Sequence, residues 1–279
     1  MSAKLTLPVI KVVRDNLPRA WERAVLEVWR QGVEIPTQYD RPNDPPSRDA
    51  IGIVVVRHPF SEPRIHRAMP GGLNDLFMYE EEVVNGVHDD WINPNEGKWS
   101  YTYHQRLFTY CLPGVPEPID QMESLIQELV KAPFTRRAQA ITWQPWEDAG
   151  TEHPPCLQRL WFRVFGDELV MDVHIRSNDA YKAGFMNMFA FTAVQKAVAG
   201  RLSQALGRTI TAGQYTHMAD SFHIYGSYFD EFEGFLNTLK ARSFSQRTFR
   251  TDEPKARSWI EQAKADVAAK LAAEQKAPD

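Results

Sequence analysis

The chain has 279 residues and a formal net charge of −4, with 43% hydrophobic and 24% charged residues, an ordinary globular balance long enough to bury a sizeable core. That charge excludes a global basic field of the kind that draws nucleic acid non-specifically. The two cysteines, Cys111 and Cys156, exclude a disulfide framework, and no Cys/His cluster has zinc spacing.

Met1 to Asn16 lacks the long apolar core of a signal peptide, and no apolar run reaches a membrane span, so a soluble cytoplasmic protein is expected. Apolar residues recur at helical spacing over 17–31, with Gly32 as the stop. Asp40 to Arg48 is a Pro/Asp loop. The β-branched run Ile51 to Val56 predicts a buried strand. A helix is expected from Leu73 to Val84, then an irregular stretch from Asn85 to Trp99, then a helix from Ile119 to Lys131. Strands are expected at 138–143 and 157–165, flanking a polar loop from Glu147 to Pro155, and again at 169–175. Phe185 to Leu206 is the longest apolar helical stretch and must be largely buried. Ile210 to His217 is strand-like, and Phe222 to Phe235 carries helix-forming and aromatic residues. The Ala/Lys/Glu-rich tail, from about residue 252, predicts a surface or partner-facing helix with a frayed end over Pro254 to Lys276. Neither repeats nor a linker divide the chain, so one α+β domain over 1–279 is expected.

A lone cysteine is usually a small buried hydrophobe, and Cys111 is read that way. Cys156 differs in its company. Pro154 and Pro155 stiffen its approach, and Arg136, Arg137 and Arg159 lie near in sequence. A nucleophilic thiol needs a positive surrounding to favour thiolate. Arg136-Arg137 alone is a solvated turn. Arg176-Ser177-Asn178-Asp179, after a strand and before a helix, could hold a phosphate, or could simply cap the helix. His223 and Tyr225 would share a face on a strand and diverge on a helix.

Together these residues form an order: Arg136-Arg137, Pro-Pro-Cys156, Arg176-Ser177-x-Asp179, Asn187, His223-x-Tyr225. This order resembles the signature of the thymidylate synthase family, from about Ile119 to Leu236; the first hundred residues match more weakly. The resemblance implies an α+β fold with a large mixed sheet packed against helices and a homodimer formed through the sheet face. It implies that Cys156 adds to C6 of dUMP, whose C5 then takes a one-carbon unit from 5,10-methylenetetrahydrofolate, giving dTMP and dihydrofolate. Arg176 and Ser177 fall on phosphate-binding positions. Arg136 and Arg137 fall on the pair that reaches the partner's phosphate. Asp179 falls on a folate-contacting aspartate, Asn187 on the asparagine at the pyrimidine edge, and His223 and Tyr225 on residues that hold the 3′-hydroxyl. An amide that donates and accepts suits uracil better than cytosine. No metal, membrane or nucleic acid is implied.

The resemblance extends less fully to the N-terminal part. Asp40-Arg41 resembles the opening of the family's phosphate loop, with Arg48 as the alternative ligand. Among Glu80, Glu81 and Glu82, the proton-relaying glutamate is expected to be Glu82. Trp91 resembles the aromatic wall near the folate and Tyr103 the tyrosine near the cysteine. His88 stands where the usual synthase carries a tryptophan shielding the intermediate, and the usual closing C-terminal motif is not visible. Both departures open a hydroxymethylase alternative on dUMP or dCMP, in which water takes the place of hydride. A non-catalytic homologue that binds nucleotide or RNA is a third reading.

Overall fold

The structure is a computed structural model that describes residues 6–274. In chain order, β1 (Val9–Arg14) leads to α1 (Leu17–Gln31), β2 (Val33–Ile35), β3 (Ser47–Val56), β4 (Ile65–His66) and α2 (Leu73–Asn85). Two short 3-10 turns precede α3 (Tyr103–Phe108), β5 (Tyr110–Leu112), β6 (Val115–Ile119) and α4 (Gln121–Lys131). Then come β7 (Gln139–Ile141), α5 (Pro145–Asp148), β8 (Leu157–Phe165), β9 (Glu168–Asp179), α6 (Gly184–Leu206) and β10 (Thr211–Ile224). The chain continues through α7 (Phe229–Ala241), β11 (Thr248–Phe249) and α8 (Pro254–Glu274).

The helix boundaries follow local chemistry. The side chain of Asn16 accepts from the Arg19 N–H at 3.1 Å, which satisfies one free donor at the start of α1. The Gly32 N–H donates to Val28 O at 2.8 Å and closes its end. Asp120 caps α4 through the Glu123 N–H at 2.7 Å. Ile119, expected in that helix, instead pairs with Tyr110 in the β5–β6 hairpin.

Seven strands form one mixed sheet in the order β1-β3-β10-β9-β8-β7, with β2 beside β3. β1 runs parallel to β3, and β10 parallel to β9; the remaining pairs are antiparallel. The parallel pair β9/β10 requires a crossover, and α6 supplies it. Period-two alternation puts Val54, Tyr215, Met171, Val173, Leu160 and Phe162 on the buried face. α1 and α6 cover that face, and α2 packs on α6. The opposite face, with Ile53, Val55, Met218 and Trp161, is only half-buried. This is the expected α+β arrangement of a large mixed sheet on helices.

Several expected boundaries differ. Ser47 and Arg48 belong to β3 rather than to the Pro/Asp loop. The loop before Pro155 contains the one-turn helix α5, held because Asp148 accepts from the Gln144 N–H at 2.7 Å. β9 continues through Asp179 and β10 through Ile224, so Phe222 to Ile224 are strand, and the helix begins at Phe229. A bulge between Ala219 and Phe222 lets β10 continue beyond its apolar run. Cys111 is exposed, not a buried hydrophobe. The tail packs α8 on α2, burying Ala256, Ala263 and Val267. The tail positions after Glu274, Lys276 included, lie outside the described residues. Among the described residues, no helix is long and apolar enough to cross a membrane.

Candidate active site

Four ends of secondary structure converge. Cys156 immediately precedes β8, Ser177 to Asp179 end β9, His223 is next to last in β10, and Asn187 sits in the first turn of α6. Together with Tyr79 from α2 and Tyr103 from α3, they line a cleft of about 410 Å³ that also includes Lys182, Met186 and Tyr225. The backbone that carries Cys156 is tied down: its carbonyl accepts the Arg176 N–H at 2.9 Å, and the Leu157 N–H donates to the Tyr103 hydroxyl at 3.3 Å.

Arg176 donates through Nε to Pro155 O at 3.0 Å and through Nη2 to Pro154 O at 2.6 Å. The guanidinium therefore fixes the two prolines before the thiol and lends it a positive charge. Burial nevertheless dominates and pushes the Cys156 thiol up, with Arg176 opposing. Arg136 and Arg137 are exposed beyond the start of β7. Arg137 pairs with Glu128 at 2.8 Å, and neither lines the cleft. The anticipated crowd of arginines around the thiol is thus reduced within one chain to Arg176.

The remaining polar atoms are held by separate local hydrogen bonds. The Tyr79 hydroxyl lies 2.6 Å from Asn187 Oδ1, leaving the amide nitrogen of Asn187 without an acceptor among the described residues. Asn178 Oδ1 lies 2.8 Å from His217 Nε2, and His217 Nδ1 lies 2.8 Å from the Tyr215 hydroxyl. Asp179 Oδ1 accepts from the N–H groups of Tyr181 at 3.0 Å and Lys182 at 2.8 Å. It therefore caps the turn before α6, while Ala183 is the N-cap residue. Burial pushes the Asp179 carboxyl up to about 6, against those two donors.

His223 Nδ1 lies 3.0 Å from Ser221 Oγ, and Ser221 donates to Asp49 Oδ2 at 2.9 Å. Burial pushes His223 down to about 4, so the ring is neutral, and its Nε2 is buried without a partner among the described residues. Tyr225 lies against this ring, with centroids 4.6 Å apart. Strand β10 thus brings His223 to the cleft, and the chain just beyond its end brings Tyr225.

Glu82 stands beside the cleft. With Tyr79, Tyr103 and Trp99 it lines a neighbouring cavity of about 250 Å³. Its carboxyl is pushed up by burial and held down by His88, whose Nδ1 is 2.8 Å from Oε1. His88 is 3% exposed, stacks on Trp91 at 3.8 Å between centroids, and through Nε2 meets Glu274 of α8 at 3.3 Å. Glu80 and Glu81 do not line these cavities. Helix α8 also walls a cavity of about 280 Å³ with Tyr79, Glu82 and Met186, contributing Asp266, Val267 and Lys270. Arg41 is exposed in its loop. Arg48, the alternative, is spent elsewhere: it packs over Trp29 at 4.5 Å and pairs with Glu34 at 3.4 Å. The loop is anchored near Tyr225 because a Cβ on Gly226 would lie 1.7 Å from Pro45 O, so only glycine allows that approach.

Sequence reading missed Tyr79, Lys182 and the α8 contacts. Tyr79 lies one helical turn before Glu82, a spacing that could have flagged it. Nothing local signals that Glu274 meets His88.

The family model described as thymidylate synthase matches residues 78–269. The chain belongs to the thymidylate synthase family. A relative from Methanocaldococcus jannaschii named "Putative thymidylate synthase" is 33% identical over 150 residues, 52% of this chain and 64% of that relative's length. One of the same name from Methanosarcina acetivorans is 26% identical over 231 residues, 82% of this chain and 96% of its own. A thermostable thymidylate synthase A from Bacillus subtilis matches in structure with a TM-score of 0.59 at 18% identity, over 80% of this chain and 84% of that one. At that identity the likeness is one of fold. Enzymes of the thymidylate synthase family are of a methyltransferase kind and act with a folate co-substrate.

Proposed function

We propose that this enzyme methylates dUMP at C5, using 5,10-methylenetetrahydrofolate and Cys156 as nucleophile. The observation that carries the reading is a half-buried thiol in one cleft with a neutral histidine whose Nε2 has no partner among the described residues. A buried polar atom without a partner is costly, and a ligand hydroxyl would relieve it. Donation from the 3′-hydroxyl of a deoxynucleotide to His223 Nε2, beside Tyr225, supplies that partner.

Asn187 offers its amide N–H₂ toward the cleft, with Oδ1 already accepting from Tyr79. A free donor suits the O4 carbonyl of uracil and opposes the amino group of cytosine, which favours dUMP over dCMP. The Cys156 thiol releases its proton to water as the S–C6 bond forms, and the C5=C6 electron pair moves to C5 and O4. Arg176 stabilises the developing thiolate. Phosphate contacts come from Ser177, from the unused N–H groups of Arg176, and from Arg41. Glu82, raised toward neutrality, exchanges protons at the pyrimidine edge. The folate supplies the one-carbon unit and then the hydride. Trp91 and Asp179 would hold its ring system.

Arg136 and Arg137 do not line this cleft in their own chain, and in this reading they serve a partner subunit in a dimer closed through the half-buried sheet face. Ile53, Val55, Met218 and Trp161 on that face support the arrangement.

The hydroxymethylase alternative has one observation in its favour: the polar His88 lies in the aromatic wall at Glu82. An assay of purified protein with dUMP, dCMP and methylenetetrahydrofolate, products resolved by mass, decides between them. Coupled appearance of dTMP and dihydrofolate supports the synthase. A 5-hydroxymethyl nucleotide without dihydrofolate overturns it. Turnover of dCMP as fast as dUMP overturns the reading of Asn187.

A further inference from the structure

A second cavity lies apart from the cysteine cleft. A space of about 830 Å³ opens between α2, α6, α8 and the segment before β4. On α2 it is lined by Phe77, Glu80 and Val84, whereas Tyr79, Glu82 and Val83 face the cavities around the cleft. At about 100° per residue these sets lie on opposite sides of the helix, so the two spaces are separated by α2 itself.

Arg64 forms part of its wall and is 8% exposed. Its guanidinium is sandwiched between Phe60, 4.0 Å from the ring centroid, and Phe189, at 4.6 Å. It makes one side-chain hydrogen bond, from Nη1 to Pro59 O at 3.2 Å. Among the described residues Nε and Nη2 have no acceptor and no carboxylate lies within ion-pair distance. Burying an arginine without a direct ion-pair partner is expensive, and burial lowers its pKa to about 10, opposed by the charges of Glu80 and Glu62. Two further cations on the wall share the condition: Lys196 and Lys264 lie over Phe60 and Phe77 and pair with no carboxylate among the described residues.

The acids on this wall answer that charge only at a distance: Glu80 and Glu62 act on Arg64, and Glu80 on Lys196 and Lys264, without a direct ion pair among the described residues. Glu62 is engaged, accepting from the N–H groups of Arg64 and Thr251 at 3.0 Å each. Burial pushes the Glu80 carboxyl up, opposed by Lys264, Arg64 and Lys196, and Glu261 is exposed on α8. Three phenyl rings and the aliphatic side chains of Ile65, Val84 and Ile260 make up much of the remaining lining. A planar guanidinium fork with free N–H groups matches a carboxylate or phosphate in two-point contact, and apolar walls at this volume suit a small organic body.

We propose that this cavity is a second ligand site, taking a small organic anion whose carboxylate or phosphate pairs with Arg64 and whose flat apolar body lies among Phe60, Phe77 and Phe189. The inference is independent of the reaction assigned to the cysteine cleft. Calorimetric titration of the full chain with benzoate, benzamide and inorganic phosphate tests it. Benzoate should bind saturably. Neutral benzamide and bodiless phosphate should each bind at least about tenfold more weakly. Arg64→Gln should remove benzoate binding. Because Arg64 is packed inside the fold, the Lys196→Glu/Lys264→Glu double variant gives an independent surface test and should weaken benzoate at least about tenfold. Benzoate should leave the rate of iodoacetamide alkylation at Cys156, followed by peptide mass, unchanged. Absence of saturable benzoate binding overturns the proposal. So does equal binding of benzamide or phosphate, wild-type affinity in either variant, or protection of Cys156, which would move the anion to the other cleft.

Discussion

At the residue scale, burial sets the protonation of the cleft more than neighbouring charge does. Cys156 is a thiol held above its ordinary range despite Arg176. Cys156→Ser should therefore lower turnover by about 10³-fold or more while leaving dUMP affinity, measured by calorimetry, within about threefold, because the binding side chains remain. Asp179 and His223 make opposite contributions to stability. The Asp179 carboxyl rises from 3.8 to about 6, so between those values the folded chain holds a proton that the unfolded chain has released. Its contribution to stability falls as pH rises through that window. His223 falls from 6.5 to about 4, and its contribution grows with pH between those values. Wild-type stability therefore blends the two, and a difference measurement separates them. Asp179→Asn should gain stability relative to wild type between pH 4 and pH 7, on the order of 2 kcal/mol, in urea titrations at both pH values. An unchanged difference would remove Asp179 as a buried titrating group.

At the element scale, the segment that delivers Cys156 depends on a few anchors. Arg106 in α3 makes a two-point contact with Asp148 in α5, at 3.2 and 2.8 Å, both residues buried. The same carboxylate holds the start of α5 through the Gln144 N–H. Arg106→Leu would leave Asp148 buried without its cation, so it should cost about 3–5 kcal/mol by chemical denaturation. Arg106→Leu/Asp148→Leu should recover part of that loss, because no charge is then stranded. The bulge in β10 belongs to the same scale. It lets the strand run past its apolar section, so that His223 is held by the sheet rather than by a helix. Helix α8 is the other decisive element, because it brings Glu274 to His88 and Lys270 close to Glu82.

At the scale of the whole molecule, the sheet has one face sealed by helices and one face half-open. Ile53, Val55, Met218 and Trp161 are arranged there by strand register rather than by sequence proximity. Burial of such a face is the ordinary basis of a twofold interface. Sedimentation equilibrium should show a dimer for the wild-type chain and a monomer for Ile53→Glu, since a charge at a buried apolar contact opposes association. Loss of activity in that variant, restored by none of the intrachain residues, would follow if Arg136 and Arg137 serve the partner's cleft. A wild-type monomer with full activity would overturn the shared-site reading.

The sequence alone determined the elements whose periodicity spans many residues. α1, β8 and α6 follow from apolar spacing and from glycines at helix ends, because those signals are local. It also determined the family, since an ordered set of chemically specific residues survives without knowledge of the contacts between them. Tertiary structure decided what was long-range. It extended β9 through Asp179 and β10 through Ile224, where pairing partners rather than propensity fix the ends. It turned Arg48 toward Trp29, left Cys111 exposed, and drew α8 from the far end of the chain onto α2. It also decided that the thiol is governed by burial, because desolvation depends on every atom packed around a group and not on which residues adjoin it in sequence.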